Sequence, residues 1–320
     1  LKVKTGGFFH AYNLPLHASS VTIQASGNSS GLSASLYNVA LDVDNALSIT
    51  TDHGVEFVGS LLDDNDDPLI NSASTVTVKA GGHLRFSDVG FAGGTGLFNA
   101  AGDNGDGYSI DASTAAFGFG ASVEFNGAND VDFRSDSSVT AQNVTFHAGG
   151  SLGLDGTFAA SNTLIATAGS STNLNKSTNA VLSLAGQIQA GKALLFGRDG
   201  VSVFSALDLE AGALDVAGRY IHMDNADISV GAGAASQGID PLLLNSIAVE
   251  DSEVTLPNSV RPNASFKAEE EIWLGDVDFN LGGDYMFAQG SDLRFNNLFF
   301  DEKLLLNFTP SDPHADFAVN

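Results

Sequence analysis

Carboxylates dominate the residues of this sequence that could do chemistry: 38 Asp and Glu stand against 13 Lys and Arg, with seven His and no Cys. Two groups have the composition of a calcium site. Asp63, Asp64, Asp66 and Asp67 crowd the segment DDNDDPLINS over residues 63–72, and Asp103 and Asp106 belong to Gly102-Asp103-Asn104-Gly105-Asp106-Gly107. A calcium loop supplies oxygen ligands from alternating positions and closes on a bidentate carboxylate. With Asn104 and Asp106 as third and fifth ligands, Gly102 would stand first and Ser113 last, where carboxylates are needed. The Gly-Gly-x-Gly-x-Asp series of calcium-binding β-rolls is absent. Calcium is thus the one cofactor with candidate ligands, and the competing reading of both segments is a solvated loop.

Acid–base catalysis needs two carboxylates converging across a groove. Asp130 and Asp132 lie two apart, as do Asp276 and Asp278, and nearly so Asp224 and Asp227. In a strand, that spacing puts both members on one face. Alternation makes it the outward face, where acidic residues belong in any case. The His residues are scattered, His10 and His17 being the closest pair, so a zinc cluster is not indicated. No Gly-x-Ser-x-Gly elbow appears. Arg219, Tyr220 and His222 form the one dense polar-aromatic group, read as a corner. No catalytic residue is assigned, and the expectation is a protein that is not an enzyme.

The elements that would carry these residues repeat. Residues 76–91 read VTVKAGGHLRFSDVGF, 144–158 read VTFHAGGSLGLDGTF, and 207–221 read LDLEAGALDVAGRYI. Residues 266–279 and 285–300 follow suit, and 47–62 fits with one corner altered. Apolar residues recur at period two, in runs of three to five, with Gly, Asn or Asp between runs where positive φ is cheap. No helical stripe is evident. Val123, Val144 and Leu164 open similar units about 20 residues apart. That period, with several short strands in each, predicts an all-β parallel β-helix, a β-solenoid of about 20-residue coils. At about 4.8 Å per coil, roughly 12 to 15 coils would make a rod of about 60–70 Å. Phe86, Phe91, Phe125, Phe133, Phe146, Phe196, Phe204, Phe279, Phe287 and Phe295 alternate within the runs and are expected to stack as interior ladders.

The expected organisation is an irregular N-terminal cap over 1–19, the solenoid over 20–306, and a C-terminal tail over 307–320. Insertions are expected at 63–72, at the Gly-rich 92–113, and at 231–246, with a Pro-containing break at 257–264. Insertions in repeat folds often form the binding face.

Composition narrows the setting. Only 16% of residues are charged, so Ser, Thr, Asn and Gly must cover the surface. A net charge of −25 disfavours nucleic acid and anionic membranes. No stretch approaches the about 20 apolar residues of a membrane span. A cysteine-free repeat protein suits bacterial export better than a disulfide-stapled animal secretion. The start at Leu1-Lys2-Val3-Lys4 reads as a processed or excised piece. The sequons at Asn28, Asn143, Asn175, Asn263 and Asn307 are about as many as chance supplies.

The unit apolar-x-apolar-x-Ala-x-Gly-x-apolar-x-apolar, at 76–86 and 144–154, resembles the repeats of filamentous-haemagglutinin-like bacterial large exoproteins. The resemblance covers roughly residues 45–300, and the Asn-Pro-Asn-Gly motif of that family's secretion domain is missing. It implies a right-handed parallel β-helix, an extracellular or cell-surface location, and cell adhesion, filament or biofilm scaffolding. The partners would be further copies of the chain joined end to end, or surface glycans or proteins. The alternatives are a carbohydrate-active β-helix enzyme, marked by a groove of converging Asp, and a phage tailspike, marked by a tight trimer.

Overall fold

A computed structural model describes residues 1–27, 31–59, 70–169, 180–230, 264–280, 285–290, 292–296, 299–300, 303–308 and 317–319. The protein is all-β, with no helix among these residues. The chain falls into two compact units. The first is Leu1–Gly149 with Gly153–Ala160, and the second is Gly150–Leu152 with Ser161–Asn320.

The first unit holds β1 (Lys2–Thr5), β2 (Phe9–Tyr12), β3 (Pro15–Ala25), β4 (Leu32–Tyr37), β5 (Ala40–Thr51), β6 (Gly54–Val58), β7 (Ile70–Ala80), β8 (Leu84–Ala100), β9 (Tyr108–Gly127), β10 (Asp130–Ala148) and the Gly153–Ala160 portion of β11 (Leu152–Ala168). The described pairings are parallel, and each strand meets a partner one repeat further along. Val3 faces Ile23, Leu47 faces Val76, and Val123 faces Val144. The repeat therefore varies from about 20 residues to nearly 30.

The three-to-five-residue runs of the sequence survive as straight segments inside much longer strands. β10 runs unbroken for 19 residues, yet its register slips between Phe133 and Ser138 and again between Thr140 and Asn143. The ladder bends without ending. One such bend is a column of left-handed residues. Asn13, Asn38, Asp88 and Thr114 have φ of 48°, 51°, 51° and 50°, and Gly59 occupies the equivalent place between them. Hydrogen bonding continues through the corner: Asn13 N–H donates to Tyr37 O, and Asn38 N–H to Val58 O. Asn and Asp visit this region more cheaply than other non-glycine residues.

Equivalent inward positions stack into three ladders. Phe57 lies on Phe86, Phe91 on Phe117, and Phe98 on Phe125 and then Phe146, with ring planes within 11° and centroids 5.0–5.5 Å apart. Rings of different ladders meet edge to face, as Phe86 does with Phe91 at 5.6 Å. Where the repeat after Phe86 places Ala112 in that ladder, Phe117 of the same repeat comes within 5.2 Å of Phe86 and takes up the space. Each fully buried ring removes apolar surface worth about 1.5–3 kcal/mol from water.

The second unit holds Ser161–Ala168 of β11, then β12 (Val181–Gly197), β13 (Gly200–Ala211), β14 (Leu214–Val230), β15 (Ala264–Asn280), β16 (Tyr285–Gly290), β17 (Asp292–Asn296), β18 (Phe299–Phe300), β19 (Lys303–Phe308) and β20 (Phe317–Val319). Its described pairings are parallel too, and its core is largely aliphatic. Leu182, Val201, Ile221, Ile272 and Leu293 form one buried column across β12, β13, β14, β15 and β17. Phe196 and Phe295 are buried, whereas the side chains of Phe204, Phe279 and Phe287 lie outside the described set.

Three segment boundaries differ from expectation. Residues 1–19 are not irregular: β1, β2 and the start of β3 pair with later strands, because Val3, Phe9 and Ala11 continue the inward alternation. The Gly-rich 92–113 is not an excursion, since Ala92–Ala100 and Tyr108–Ser113 are strand and only 101–107 leave the ladder. Within its strand portion glycine serves packing, not turning: a Cβ on Gly96 would lie 2.7 Å from the Phe119 ring. The tail over 307–320 includes the end of β19 and the short strand β20, which pairs with β17. Residues 63–69, 231–246 and 257–263 lie outside the described residues; Ile70–Ser72 opens β7 and Ala264 opens β15.

Candidate functional site

Parallel registration brings together charged residues that are far apart in sequence. On the first unit, Glu56 faces Arg85, Arg85 faces Asp111, and Asp111 faces Asp132. Like charges opposite one another repel, and Arg134, two residues beyond Asp132, answers the Asp111/Asp132 pair. Its Nη2 lies 3.0 Å from Asp111 Oδ1, and its Nε lies 3.4 Å from Asp132 Oδ2. The first contact is off-angle for a hydrogen bond, so Asp111 Oδ1 is held by charge alone. Glu56 and Arg85 approach more loosely, at 3.8 Å.

Asp132 is half-buried, and its carboxyl is raised above the ordinary 3.8. Burial is the chief cause, and Asp111 and Asp155 add to it against the pull of Arg134. The next repeat makes room for this carboxylate with Gly153, whose Cβ would fall 2.5 Å from Asp132 Oδ1. The arrangement offers a carboxyl that keeps its proton more readily than usual beside a second carboxylate. A guanidinium occupies the space a reacting group would need.

The sequence pairs Asp132 with Asp130, its strand neighbour. The structure pairs Asp132 instead with Asp111 of the preceding repeat, and Asp130 with the backbone of Tyr108. On the second unit the register likewise aligns Asp208 with Asp227, and Asp227 with Asp278, across strands. Asp224 is opposite Gly275. The side chains of Asp276 and Asp278 are not among those described. Asp111 and Asp208 could have been found only by aligning each repeat on its buried column.

Asp103 and Asp106 sit in the 101–107 bend. Asp103 Oδ1 accepts from Gly105 N–H at 2.9 Å, and its Oδ2 accepts from Asn129 Nδ2 at 3.0 Å. Asn104 Oδ1 accepts from the N–H of both Asp106 and Tyr108. Gly105 and Gly107, at φ 91° and 100°, complete the turn. Asp63, Asp64, Asp66 and Asp67 lie outside the described residues. Among the described residues, no three His, Asp or Glu side chains gather as a metal site would require.

Near this bend, burial lowers the pKa of His83, Arg85 acting in the same direction and Glu56 and Asp103 against it. His10 and His17 go to different partners. His10 stacks between the rings of Phe8 and Tyr12, and His17 Nδ1 lies 2.9 Å from Asp42 Oδ2.

Arg219, Tyr220 and His222 lie within β14, where the register with β15 slips between Gly218 and Tyr220. Arg219 donates from Nε and Nη2 to Glu270 Oε1, at 2.8 and 2.7 Å. The Tyr220 ring covers Gly200, and His222 packs on Trp273 at 4.2 Å. Asp199 sits beside this group. Burial alone would raise its pKa, but hydrogen bonds from Arg198 and Ala180 N–H, with the charges of Arg198 and Arg219, bring it below 3.8. Apart from the Arg198–Asp199 pair, the contacts named here join neighbouring repeats, which fastens strands together.

No known protein family, curated protein or solved structure matches the chain.

Proposed function

We propose that the chain is a stretch of parallel β-helix that serves as a non-catalytic, extracellular structural and adhesive shaft on a bacterial surface, as its resemblance to filamentous-haemagglutinin-like exoproteins implies. The supporting observation is the stacking of like positions on like: parallel partners one repeat apart, Phe over Phe inside, and charged side chains outside that pair with the adjacent repeat. Such a body gains stability from each neighbour contact and can be lengthened repeat by repeat. It needs no cofactor in this reading, and calcium would enter at the acidic segment of Asp63, Asp64, Asp66 and Asp67. Its partners are copies of itself joined end to end, or glycans and proteins of an opposing surface.

The second reading is a polysaccharide-cleaving enzyme, favoured by the Asp111/Asp132 pair and the raised carboxyl of Asp132. The two separate in one set of assays. Protein-coated beads are tested for attachment to bacterial and host cells, and the soluble protein is incubated with a panel of polysaccharides while new reducing ends are measured. The shaft predicts attachment without cleavage. Reducing ends that disappear in Asp132→Asn would replace it with the enzyme, and a tight trimer in solution would favour a tailspike.

A further inference from the structure

The chain has one Trp, Trp273 in β15, and it stands on an outward face. Ile272 and Leu274 on either side of it are buried, so the indole points away from the core. The same alternation, with Ile221 and Met223 buried, turns Tyr220 and His222 of β14 to that face. Two of these rings lie on glycine. A Cβ at Gly275 would fall 2.5 Å from Trp273 Cη2, and one at Gly200 would fall on Tyr220 Cζ. Indole and phenol therefore rest on backbone that carries no side chain, and both stay half-exposed. His222 is exposed and meets Trp273 at 4.2 Å, with ring planes 56° apart. The three rings thus reach across β13, β14 and β15, adjacent strands about 4.8 Å apart.

The repeat does not demand these rings. The column of Trp273 and His222 holds Ser183, Ser202 and Arg294 on the other strands. Fixed polar groups border the rings. Arg294, opposite Trp273 on β17, donates from Nη2 to Asp292 Oδ2 at 2.7 Å, and its Nε lies 3.7 Å from Glu271 Oε1. The pairing orients these groups, and the carboxylates keep lone pairs for further donors. Asp224 faces Gly275, on which the indole lies. Ser202 adds an independent sign of a site. It points to the same face as its register partner His222, yet it is 1% exposed, and its Oγ makes no hydrogen bond among the described residues. A hydroxyl buried in this way is costly, and such exceptions mark functional or water-binding places.

We infer that Tyr220, His222 and Trp273 form a binding platform for a neutral polysaccharide on the second unit. Rings lying on the sheet offer flat apolar surface to the C–H faces of pyranose units. Hydroxyls of the same sugars can take the place of water on Asp224, Glu271, Asp292 and Arg294. A flat protein partner would instead have to strip water from these charges without replacing its hydrogen bonds, which is costly. Three carboxylates stand against one guanidinium along this border, which disfavours an acidic glycan. This inference deepens the adhesive reading and rests on it.

Because Trp273 is the one Trp in the chain, its fluorescence reports on this face directly. The whole chain is titrated with soluble neutral β-glucan, mannan and galactan, and a saturable change in emission is expected with at least one. Tyr220→Ala, which keeps the reporter, should weaken that binding about tenfold or more, and Tyr220→Phe should preserve it. In gels cast with the same polysaccharide, Trp273→Ala should abolish the retardation that the unchanged protein shows. Circular dichroism melts check that the variants fold, and the titration of the unchanged protein decides the matter if one does not. No saturable change with any of the three, or binding unaltered by Tyr220→Ala and Trp273→Ala, overturns the platform. Binding of hyaluronan alone would overturn the neutral assignment. Concentration-dependent self-association lost in Trp273→Ala would give the rings to a second copy and also overturn it. Bead attachment to cells that survives Trp273→Ala leaves the adhesive shaft standing without this platform.

Discussion

Single residues in this protein differ sharply in what they hold. Phe125 touches Phe98, Phe117, Phe133 and Phe146 and is fully buried. Phe125→Ala opens a cavity at the meeting point of the ladders and is expected to cost about 3–5 kcal/mol in urea unfolding. Titration adds a second residue-level expectation. Burial holds His83 and His147 below their ordinary 6.5, partly opposed by neighbouring carboxylates. The unfolded chain therefore takes up these protons first. The stability they contribute is complete above 6.5 and is lost as pH falls below it toward the folded values. Urea midpoints should drop from pH 7.5 to pH 5.5, and His83→Gln/His147→Gln should flatten that slope. Asp132 has the opposite sign. Its raised carboxyl protonates first in the folded state, adding stability as pH falls toward 3.8.

At the scale of elements, strands were legible and their boundaries were not. Alternation in Val76–Ala80 and Val144–Ala148 marked inward positions, and these are buried. Glycine was ambiguous, because it signals both a turn and a close approach. Gly105 turns the chain, whereas Gly96 yields space to Phe119. The charged column was illegible in any one segment, since Asp111 and Asp132 meet only through a register set by Ile110 against Val131. The corner column was half legible. Asn13, Asn38 and Asp88 are residues that accept a left-handed backbone, but Thr114 is β-branched and gave no signal. Thr114→Gly should relieve a conformation that costs roughly 1–2 kcal/mol, raising the urea midpoint, while Gly96→Val should destabilise the fold by about 1–3 kcal/mol and lower the midpoint. A lowered midpoint for Thr114→Gly would mean that the threonine side chain makes contacts worth more than the strain.

For the whole molecule, charge and pairing set the behaviour. Described ion pairs such as Arg134 with Asp111 are few beside a net charge of −25, so long-range repulsion outweighs local attraction. Added salt should therefore stabilise the protein. The urea midpoint is expected to rise between low ionic strength and 1 M sodium chloride, where the screening length is about 3 Å. A fall would mean that the exposed ion pairs dominate.

The register has a kinetic corollary. Because Val123 meets Val144 and Leu182 meets Val201, closing most contacts requires only a short loop of chain. The conformational search is local at each step, and the entropy of loop closure stays nearly constant as the chain lengthens. A completed repeat presents an edge that templates the next. Structure can then grow directionally along the chain, which suits a polypeptide delivered progressively from one end.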